Sequence, residues 1–180
     1  MTIGNRSGVS RILDRPDLNV FIFAFFFNYP WENLQAPLFA GMRTAAHWDA
    51  VKACTRASLG DAVIMLLAYS VVAVAKRDRW WFRSPSYRPI TGFVCLGVIL
   101  TILIEYLATT SVDPKWGWRY ANSMPVLPLT GLGLTPLLQW LLIPPIAIWF
   151  VRRQLATVHP DYRQSLDLGA SAPPDQVVES

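Results

Sequence analysis

Cysteine, histidine and catalytic sequence motifs are scarce in this chain. It has two cysteines and two histidines in 180 residues. We find no glycine-rich phosphate-binding loop, nucleotide fingerprint or hydrolase motif of the kinds that identify common soluble enzymes. No DNA- or RNA-binding motif accompanies the net charge of +4, so we expect no nucleic-acid partner. The sequence therefore argues against these classes and leaves any cofactor unknown.

Apolar residues, in contrast, are abundant. The hydrophobic fraction is 53% and the mean hydropathy is positive, which is too apolar for an ordinary soluble domain. A transmembrane helix needs about 20 mostly apolar residues, and we predict four of them, at 19–42, 58–75, 89–109 and 131–151. They fill a membrane domain over 1–153. The polar segment 154–180 is predicted to be a disordered tail.

The first predicted span is the weakest of the four. Its solid apolar run, Val20 to Phe27, is followed by mostly polar residues up to Gln35. Pro30 and Pro37 each remove a backbone hydrogen bond, so we expect a kinked or partly unwound helix where these polar residues lie. A cleaved signal peptide is the alternative, with the N-terminal arginines as its basic front. A poor small-x-small cleavage pattern favours the span.

The distribution of Lys and Arg predicts the orientation. In a four-span chain, eleven basic residues fall in the two terminal segments and the middle loop, and five fall in the loops around 43–57 and 110–130. Basic residues concentrate on the cytoplasmic side of a membrane. We therefore predict an all-α, four-helix integral membrane bundle with both termini cytoplasmic, multi-pass in a bacterial inner membrane. The lipid bilayer is its first partner.

Each predicted span carries a polar side chain near its outer end. These residues are Glu32, Asp61, Glu105 and Gln139. Ionisable groups within a membrane usually face the bundle interior, a partner or water. Because all four fall toward the same leaflet, we expect them to share a polar cavity at the outer leaflet.

Helical spacing extends this polar pattern along two spans. Residues related by i, i+4 and i+7 lie on one face of a helix. One such set is Asn28, Glu32 and Gln35, and a second, repeating at i+4, is Thr101, Glu105 and Thr109. Each set predicts a polar stripe that faces inward.

A structural role competes with a functional one for these residues. Polar side chains also join membrane helices, at about 0.6 kcal/mol per hydrogen bond, and this role suits the amides and threonines. A central acid costs about 2.5–3.5 kcal/mol on insertion scales, which favours function for Glu32 and Glu105. Asp61 follows Ser58 at a predicted helix start, so it is also consistent with an N-terminal cap.

The segment from Trp116 to Pro128 is aromatic and stiffened by proline. Trp118 and Tyr120 have rigid amphipathic rings, and Arg119 carries a positive charge suited to a carboxylate or phosphate. Such a loop could cover the cavity as a lid or anchor the chain at the interface. The sequence leaves both roles open.

Several short motifs resemble a group of small bacterial inner-membrane proteins with four spans. They are Pro30-Trp31-Glu32, Pro37-Leu38, Leu59-Gly60-Asp61, Glu105, Trp118-x-Tyr120, Met124-Pro125 and Gly131-Leu132-x-Leu134-x-Pro136-Leu137-Leu138-Gln139-Trp140. The resemblance covers about 20–145 and implies the architecture without a specific chemistry. In span count and residue types alone, the layout is also similar to the four-helix sterol-isomerase-like membrane family.

The first of three functional hypotheses is an enzyme or binder for an amphipathic lipid or isoprenoid. Glu32 and Glu105 would act as a general acid and base, with Asp61 orienting one of them. The residues predicted to bind the substrate are Asn28, Gln35, Trp118, Arg119, Tyr120 and Gln139.

The other two hypotheses need no such chemistry. In one, the chain is a membrane subunit or assembly factor whose polar face docks a helix of a partner membrane protein. In the other, His47, Met42, Cys54 and Met124 gather a metal with Glu32 or Asp61. No ligand spacing of the HxxxH or CxxC kind supports the metal site, and His159 is predicted on the opposite side of the membrane. We therefore assign no metal-binding residue.

A disulfide is not expected. Cys54 is predicted in an outward loop, whereas Cys95 is predicted near the cytoplasmic end of the third span. A disulfide needs Cα atoms within about 7 Å, and most of a bilayer would separate these two. Cys95 is better explained as a small packing residue.

Overall fold

The chain folds into α-helices joined by short turns and loops. The computed structural model describes residues 14–83, 86–113 and 117–158. The helices are α1 (Pro16–Gln35), α2 (His47–Lys76), α3 (Tyr87–Thr110) and α4 (Leu134–Val158). Short 3-10 turns lie at Ala36–Leu38, Met42–Thr44 and Trp81–Arg83. The predicted all-α class is confirmed.

Three of the helices are long and apolar enough to cross a membrane. They are α2, α3 and the part of α4 that ends at Ala156. Within the described residues, α1 does not meet the same criteria of length and apolarity. The second, third and fourth predicted spans are therefore supported, and the crossing of the membrane by the first stays a prediction.

The ends of α1 and α2 correct two expectations. α1 continues through Pro30 and ends at Gln35, so its polar residues lie on a helix that is not unwound. The backbone tightens into a 3-10 turn only afterwards, at Ala36–Leu38. α2 begins at His47, far ahead of the predicted span, because the polar segment there is also rich in good helix formers. Cys54 is thus a buried helical residue and not a loop residue.

α4 also differs from the predicted span at both ends. Gly131 takes a left-handed backbone conformation with φ +68°, which ends any continuous helix there, and α4 begins only at Leu134. The helix then runs to Val158, beyond the predicted start of the tail, and Leu155 is fully buried. The rest of the predicted tail, 159–180, lies outside the described residues.

The burial pattern is that of a protein in contact with lipid. Large apolar side chains cover the outer faces of the three long helices, whereas several amides and acids are buried. The exposed apolar residues include Val63, Leu67, Val71, Ile99, Leu103, Leu107, Leu138, Leu141 and Leu142. In water such a surface would be unusually large for a monomer, and it fits the apolar solvent that a bilayer provides.

Close packing of α3 against α4 depends on one glycine. A Cβ atom added to Gly97 would lie 2.0 Å from Cζ3 of Trp140, so a larger residue would push the two helices apart. Trp140 is almost fully buried. This contact fixes the neighbouring Gln139 on α4 in relation to the buried face of α3.

The connections α1–α2 and α3–α4 meet at one end of the helices, which we call the loop-pairing end. Ala40 N–H donates to the Arg119 carbonyl at 2.8 Å, and Ala121 N–H donates to the Leu38 carbonyl at 2.9 Å. The second connection also folds back on itself, because Val126 pairs with Gly133 in an antiparallel bridge. The backbone of both loops is therefore held in place.

The opposite end of the helices is closed by aromatic side chains. Trp81 and Phe82 are buried in the α2–α3 connection, and Tyr69 Oη donates to the Arg79 carbonyl at 2.5 Å. Asp17, at the start of α1, forms ion pairs with Arg15 at 2.7 Å and Arg79 at 3.4 Å. The start of α1 and the α2–α3 connection are thereby joined.

Candidate functional site

The polar residues of α1 form a buried face near the loop-pairing end. Asn28, Glu32 and Gln35 have exposed fractions of 1%, 9% and 5%, so the stripe predicted from their spacing is confirmed. Asn28 Nδ2 donates to the Ala24 carbonyl at 2.8 Å. Its Oδ1 atom is thereby turned toward α4, where it accepts a hydrogen bond.

Gln139 joins three helices through its side-chain amide. Its Nε2 atom lies 2.7 Å from Asn28 Oδ1, 3.0 Å from Glu32 Oε1 and 2.8 Å from Asp61 Oδ2. Its Oε1 atom accepts a hydrogen bond from Gln35 Nε2 at 3.2 Å. The residue is 3% exposed, and its contacts bring α1, α2 and α4 together.

Glu32 and Asp61 form a pair of adjacent carboxyl groups. Gln139 Nε2 contacts both of them, at 3.0 and 2.8 Å, and Gln35 Nε2 also donates to Glu32 Oε1 at 2.7 Å. Two adjacent carboxyl groups at low dielectric can share one proton. Asp61 is partly buried in the middle of α2, and its interpretation as an N-terminal cap is wrong because the helix begins at His47.

The third carboxyl group, Glu105, is held by the loop that precedes α4. Trp118 Nε1 donates to Glu105 Oε2 at 3.3 Å, and Tyr120 Oη donates to the same oxygen. Gly133 N–H in turn donates to Tyr120 Oη at 3.0 Å. Glu105 is 6% exposed and belongs to the buried face of α3.

Tyr120 therefore remains a proton donor over a wide pH range. Burial, followed by its hydrogen bond to Glu105, raises the pKa of Tyr120 well above the ordinary value. Gly133 allows this arrangement because a Cβ atom there would lie 3.1 Å from the phenol ring. We call the group formed by the α1 face, Asp61, Gln139, Glu105, Trp118 and Tyr120 the carboxyl cluster.

Arg119 lies beside the carboxyl cluster but is directed away from it. Its guanidinium donates to the Thr109 carbonyl and to the Ser111 carbonyl, each at 2.8 Å. Cations commonly bind the free carbonyls at the end of a helix. In this conformation Arg119 caps α3, and its predicted contact with a ligand stays a prediction.

An apolar groove of 260 Å³ runs along α1 and α4 beside the cluster. Its lining residues are Phe27, Pro30, Trp31, Leu34, Leu142, Ile143 and Ile146. Trp31 Nε1 donates to Gln35 Oε1 at 3.2 Å, and Gln35 also bonds Glu32. Two hydrogen bonds thus connect the wall of the groove to the carboxyl pair.

Among the residues of the metal hypothesis, Cys54 Sγ contacts the backbone carbonyl of Glu32 at 3.7 Å. No group of three or more His, Cys, Asp or Glu side chains in the part of the chain that the structure describes has an arrangement that could hold a metal ion. His47 lies against the ring of Trp48, and Met124 accepts a hydrogen bond from Thr135. Cys54 and Cys95 are both free, and Cys95 is exposed. His159 lies outside the described residues.

Two contributors to the site were missed by sequence reasoning. Trp31 lies within the Pro30-Trp31-Glu32 motif and Gly133 lies just before α4, and neither is predicted from the sequence as a site residue. Their contacts with Gln35 and Tyr120 depend on pairings between distant segments, which no local spacing in the sequence indicates.

Comparison of the chain with family models, curated proteins and solved structures gives no match. The resemblance to four-span bacterial membrane proteins therefore stays a prediction. The function must be argued from the carboxyl cluster itself.

Proposed function

We propose that the carboxyl cluster is an acid–base site for an amphipathic lipid or isoprenoid, with the chain of the ligand in the apolar groove and its head group at the carboxyl groups. The observation that carries the proposal is the position of the groove. Its wall residue Trp31 is hydrogen-bonded to Gln35, which bonds the carboxyl pair. An apolar pocket with a few convergent polar groups is the usual form of a small-molecule site.

The carboxyl pair supplies the acid–base part of the proposal. Because Glu32 and Asp61 are adjacent at the Gln139 amide, the pair can hold one proton, which one group gives while the other has an oxygen to receive one. General acid–base catalysis requires such a group within hydrogen-bonding reach of the substrate. Glu105, with Trp118 and Tyr120 bound to it, closes the site from the α3 side.

The contacts of Trp118 and Tyr120 favour a lid over an interfacial anchor. An anchor needs its polar atoms in the head-group region, whereas both of these side chains direct their polar hydrogen atoms at Glu105. The paired backbone of the two loops holds them over the cluster. In this proposal the loop covers the head group of the bound ligand.

Native mass spectrometry of the gently extracted protein tests the proposal. We expect a co-purifying amphipathic molecule on the wild type and about tenfold less of it on Glu32→Gln and Glu105→Gln, because loss of a charged hydrogen bond costs about 1.5–3 kcal/mol. Asp49→Asn is the matched control, since Asp49 is an exposed acid paired with Lys52 at the start of α2.

Two results would contradict the proposal. Equal amounts of the molecule on all four proteins would mean that it is bulk lipid. A stoichiometric protein partner, retained in both cluster variants in place of a small molecule, would indicate that the acids are structural and that the chain is a subunit.

A further inference from the structure

The carboxyl cluster has fewer hydrogen-bond donors than its acceptors can use. Gln139 Nε2 carries two hydrogen atoms but lies within 2.7–3.0 Å of three oxygen atoms, which belong to Asn28, Glu32 and Asp61. Glu32 Oε1 also receives the Gln35 amide. At most two of the three contacts of Gln139 can be hydrogen bonds at once, so a ligand that brings donors would complete the cluster.

A buried hydroxyl group on α3 adds an independent observation. Thr101 precedes Glu105 by one helical turn on the same buried face of α3 and is 6% exposed. Among the described residues its Oγ1 atom has no hydrogen-bond partner. Threonine in a helix often bonds the carbonyl four residues earlier, as Thr109 does with Glu105. A buried hydroxyl without a partner costs about 1–3 kcal/mol, which a ligand group could recover.

The charge of the cluster restricts the ligand further. Uncharged donors hold all three carboxyl groups, and within the described ranges no Lys or Arg forms an ion pair with any of them. The nearest arginine in the loop, Arg119, bonds the end of α3 instead. A phosphate head group would meet carboxyl groups without a cation to neutralise it, and like charges repel strongly at low dielectric.

We propose that the head group recognised by the carboxyl cluster is a primary ammonium carried on a hydrocarbon chain. An ammonium brings three hydrogen-bond donors and no acceptor, so it supplies the donors that the cluster lacks. Its positive charge also neutralises negative charge on the carboxyl groups. The hydrocarbon chain occupies the groove beside Trp31. This inference rests on the proposed lipid site and narrows the class of its ligand.

Four single-chain amphiphiles with the same tetradecyl tail test the inference at pH 7. They are tetradecylamine, tetradecyltrimethylammonium, tetradecanol and tetradecyl phosphate. The amine is protonated at this pH, and the trimethylated cation keeps the charge but has no donor. The full-length protein is placed in nanodiscs, and native mass spectrometry measures how far each amphiphile displaces the co-purified amphipathic molecule. The proteins compared are wild type, Glu32→Gln, Thr101→Val and the control Asp49→Asn.

We expect the amine to bind about tenfold more tightly than either the trimethylated cation or the alcohol, since a charge-assisted hydrogen bond is worth about one power of ten in affinity. In Glu32→Gln, most of this preference for the amine should be lost. In Thr101→Val, the affinity for the amine should fall about three- to tenfold, whereas Asp49→Asn should bind it like wild type. The nearly isosteric Thr101→Val change tests the hydroxyl with little change of volume.

The outcomes separate the two proposals. Tighter binding of the alcohol or the phosphate, lost in Glu32→Gln, would overturn the ammonium inference and leave the lipid site standing. Equal binding of both cations would also overturn it, because donors would then play no part. If no amphiphile binds in a way that depends on Glu32, the proposed function itself fails.

Discussion

The acids at the two ends of the helices have different partners. Asp17 is paired with two arginines at the opposite end, whereas the acids of the carboxyl cluster are held by amide, indole and phenol groups. Arginine neutralises a carboxylate and fixes its geometry. Uncharged donors position a carboxyl group but leave its charge and its proton available. The comparison supports the proposal that the acid at one end is structural and that the acids at the other end act chemically.

Holding the acids of the carboxyl cluster with uncharged donors also lowers the stability of the fold. A buried carboxyl group without a counter-charge is unfavourable, and proteins retain such groups mainly where function needs them. The cluster reduces this cost by sharing donors, above all those of Gln139. Substitutions that remove hydrogen-bond donors from the carboxyl cluster should therefore lower the free energy of unfolding. Substitution of Asp17 should lower it by removing an ion pair.

The largest effect is expected from Gln139→Leu. The variant removes the two amide hydrogen atoms that serve Asn28, Glu32 and Asp61, and each buried hydrogen bond that is lost without replacement costs about 1–3 kcal/mol. We expect the free energy of unfolding in mixed micelles to fall by about 3 kcal/mol. Leu141→Ala, on the exposed side of α4, should change it by about 0.5 kcal/mol or less. Similar losses in the two variants would refute the central role of Gln139.

A smaller effect is expected from Tyr120→Phe, which removes the hydroxyl between Glu105 and Gly133. A hydrogen bond to a charged group is worth about 1.5–3 kcal/mol, and we expect a loss of about 2 kcal/mol. Hydrogen exchange in 126–134 should accelerate, because the Gly133 amide loses its acceptor. Tyr106→Phe, on the exposed face of α3, is the matched control and should exchange like wild type in this segment.

The raised pKa of Tyr120 gives this prediction a pH dependence. The folded state holds the phenol proton more tightly than the unfolded state. The stabilisation of the fold by the Tyr120 hydroxyl is therefore fully present below the ordinary tyrosine pKa of about 10. It is lost as the pH rises through the folded-state pKa. The difference between wild type and Tyr120→Phe should therefore be constant from neutral pH to about pH 9. A difference that changed over that range would contradict this explanation.

How much of this arrangement the sequence predicts depends on the kind of contact. The face shared by Asn28, Glu32 and Gln35 follows from helical spacing alone, and a common depth for Glu105 and Gln139 follows from counting residues in each apolar run. The structure joins the α1 face to Gln139 by hydrogen bonds and buries Glu105 beneath Trp118 and Tyr120. Local periodicity was sufficient for the α1 face, but it did not indicate the position of Asp61 in the middle of α2 or the contact of Trp31 with Gln35.

Contacts between loops could not be predicted in this way. Arg119 looked available for an anionic ligand, but the end of α3 lies beside it and takes its guanidinium. Likewise, the glycines before α4 looked like a helix start, whereas Gly133 packs against Tyr120 in a folded-back loop. Such outcomes depend on which distant segments meet, and the spacing of residues within one segment does not contain that information.

The smallest predicted effect lies at the arginine-paired acid. Burial acts to raise the pKa of Asp17, but the hydrogen bond and charge of Arg15, helped by Arg79, leave it below the ordinary value. The ion pair therefore stabilises the fold above a pH of about 4, and its contribution is lost as the pH falls through the folded-state pKa. For Asp17→Asn we expect a loss of about 0.2–1 kcal/mol at neutral pH. Equilibrium unfolding of both proteins at pH 7 and near pH 2 checks the sign.

The same measurement on Glu32→Gln completes the comparison between the two ends. Glu32 has no arginine partner within the described part of the chain, and glutamine keeps an oxygen acceptor for the amides of Gln35 and Gln139. The free energy of unfolding at neutral pH should therefore stay the same or rise, because one buried carboxyl group is removed. A loss as large as that in Asp17→Asn would mean that Glu32 is a structural acid too, and the distinction between the two ends would disappear.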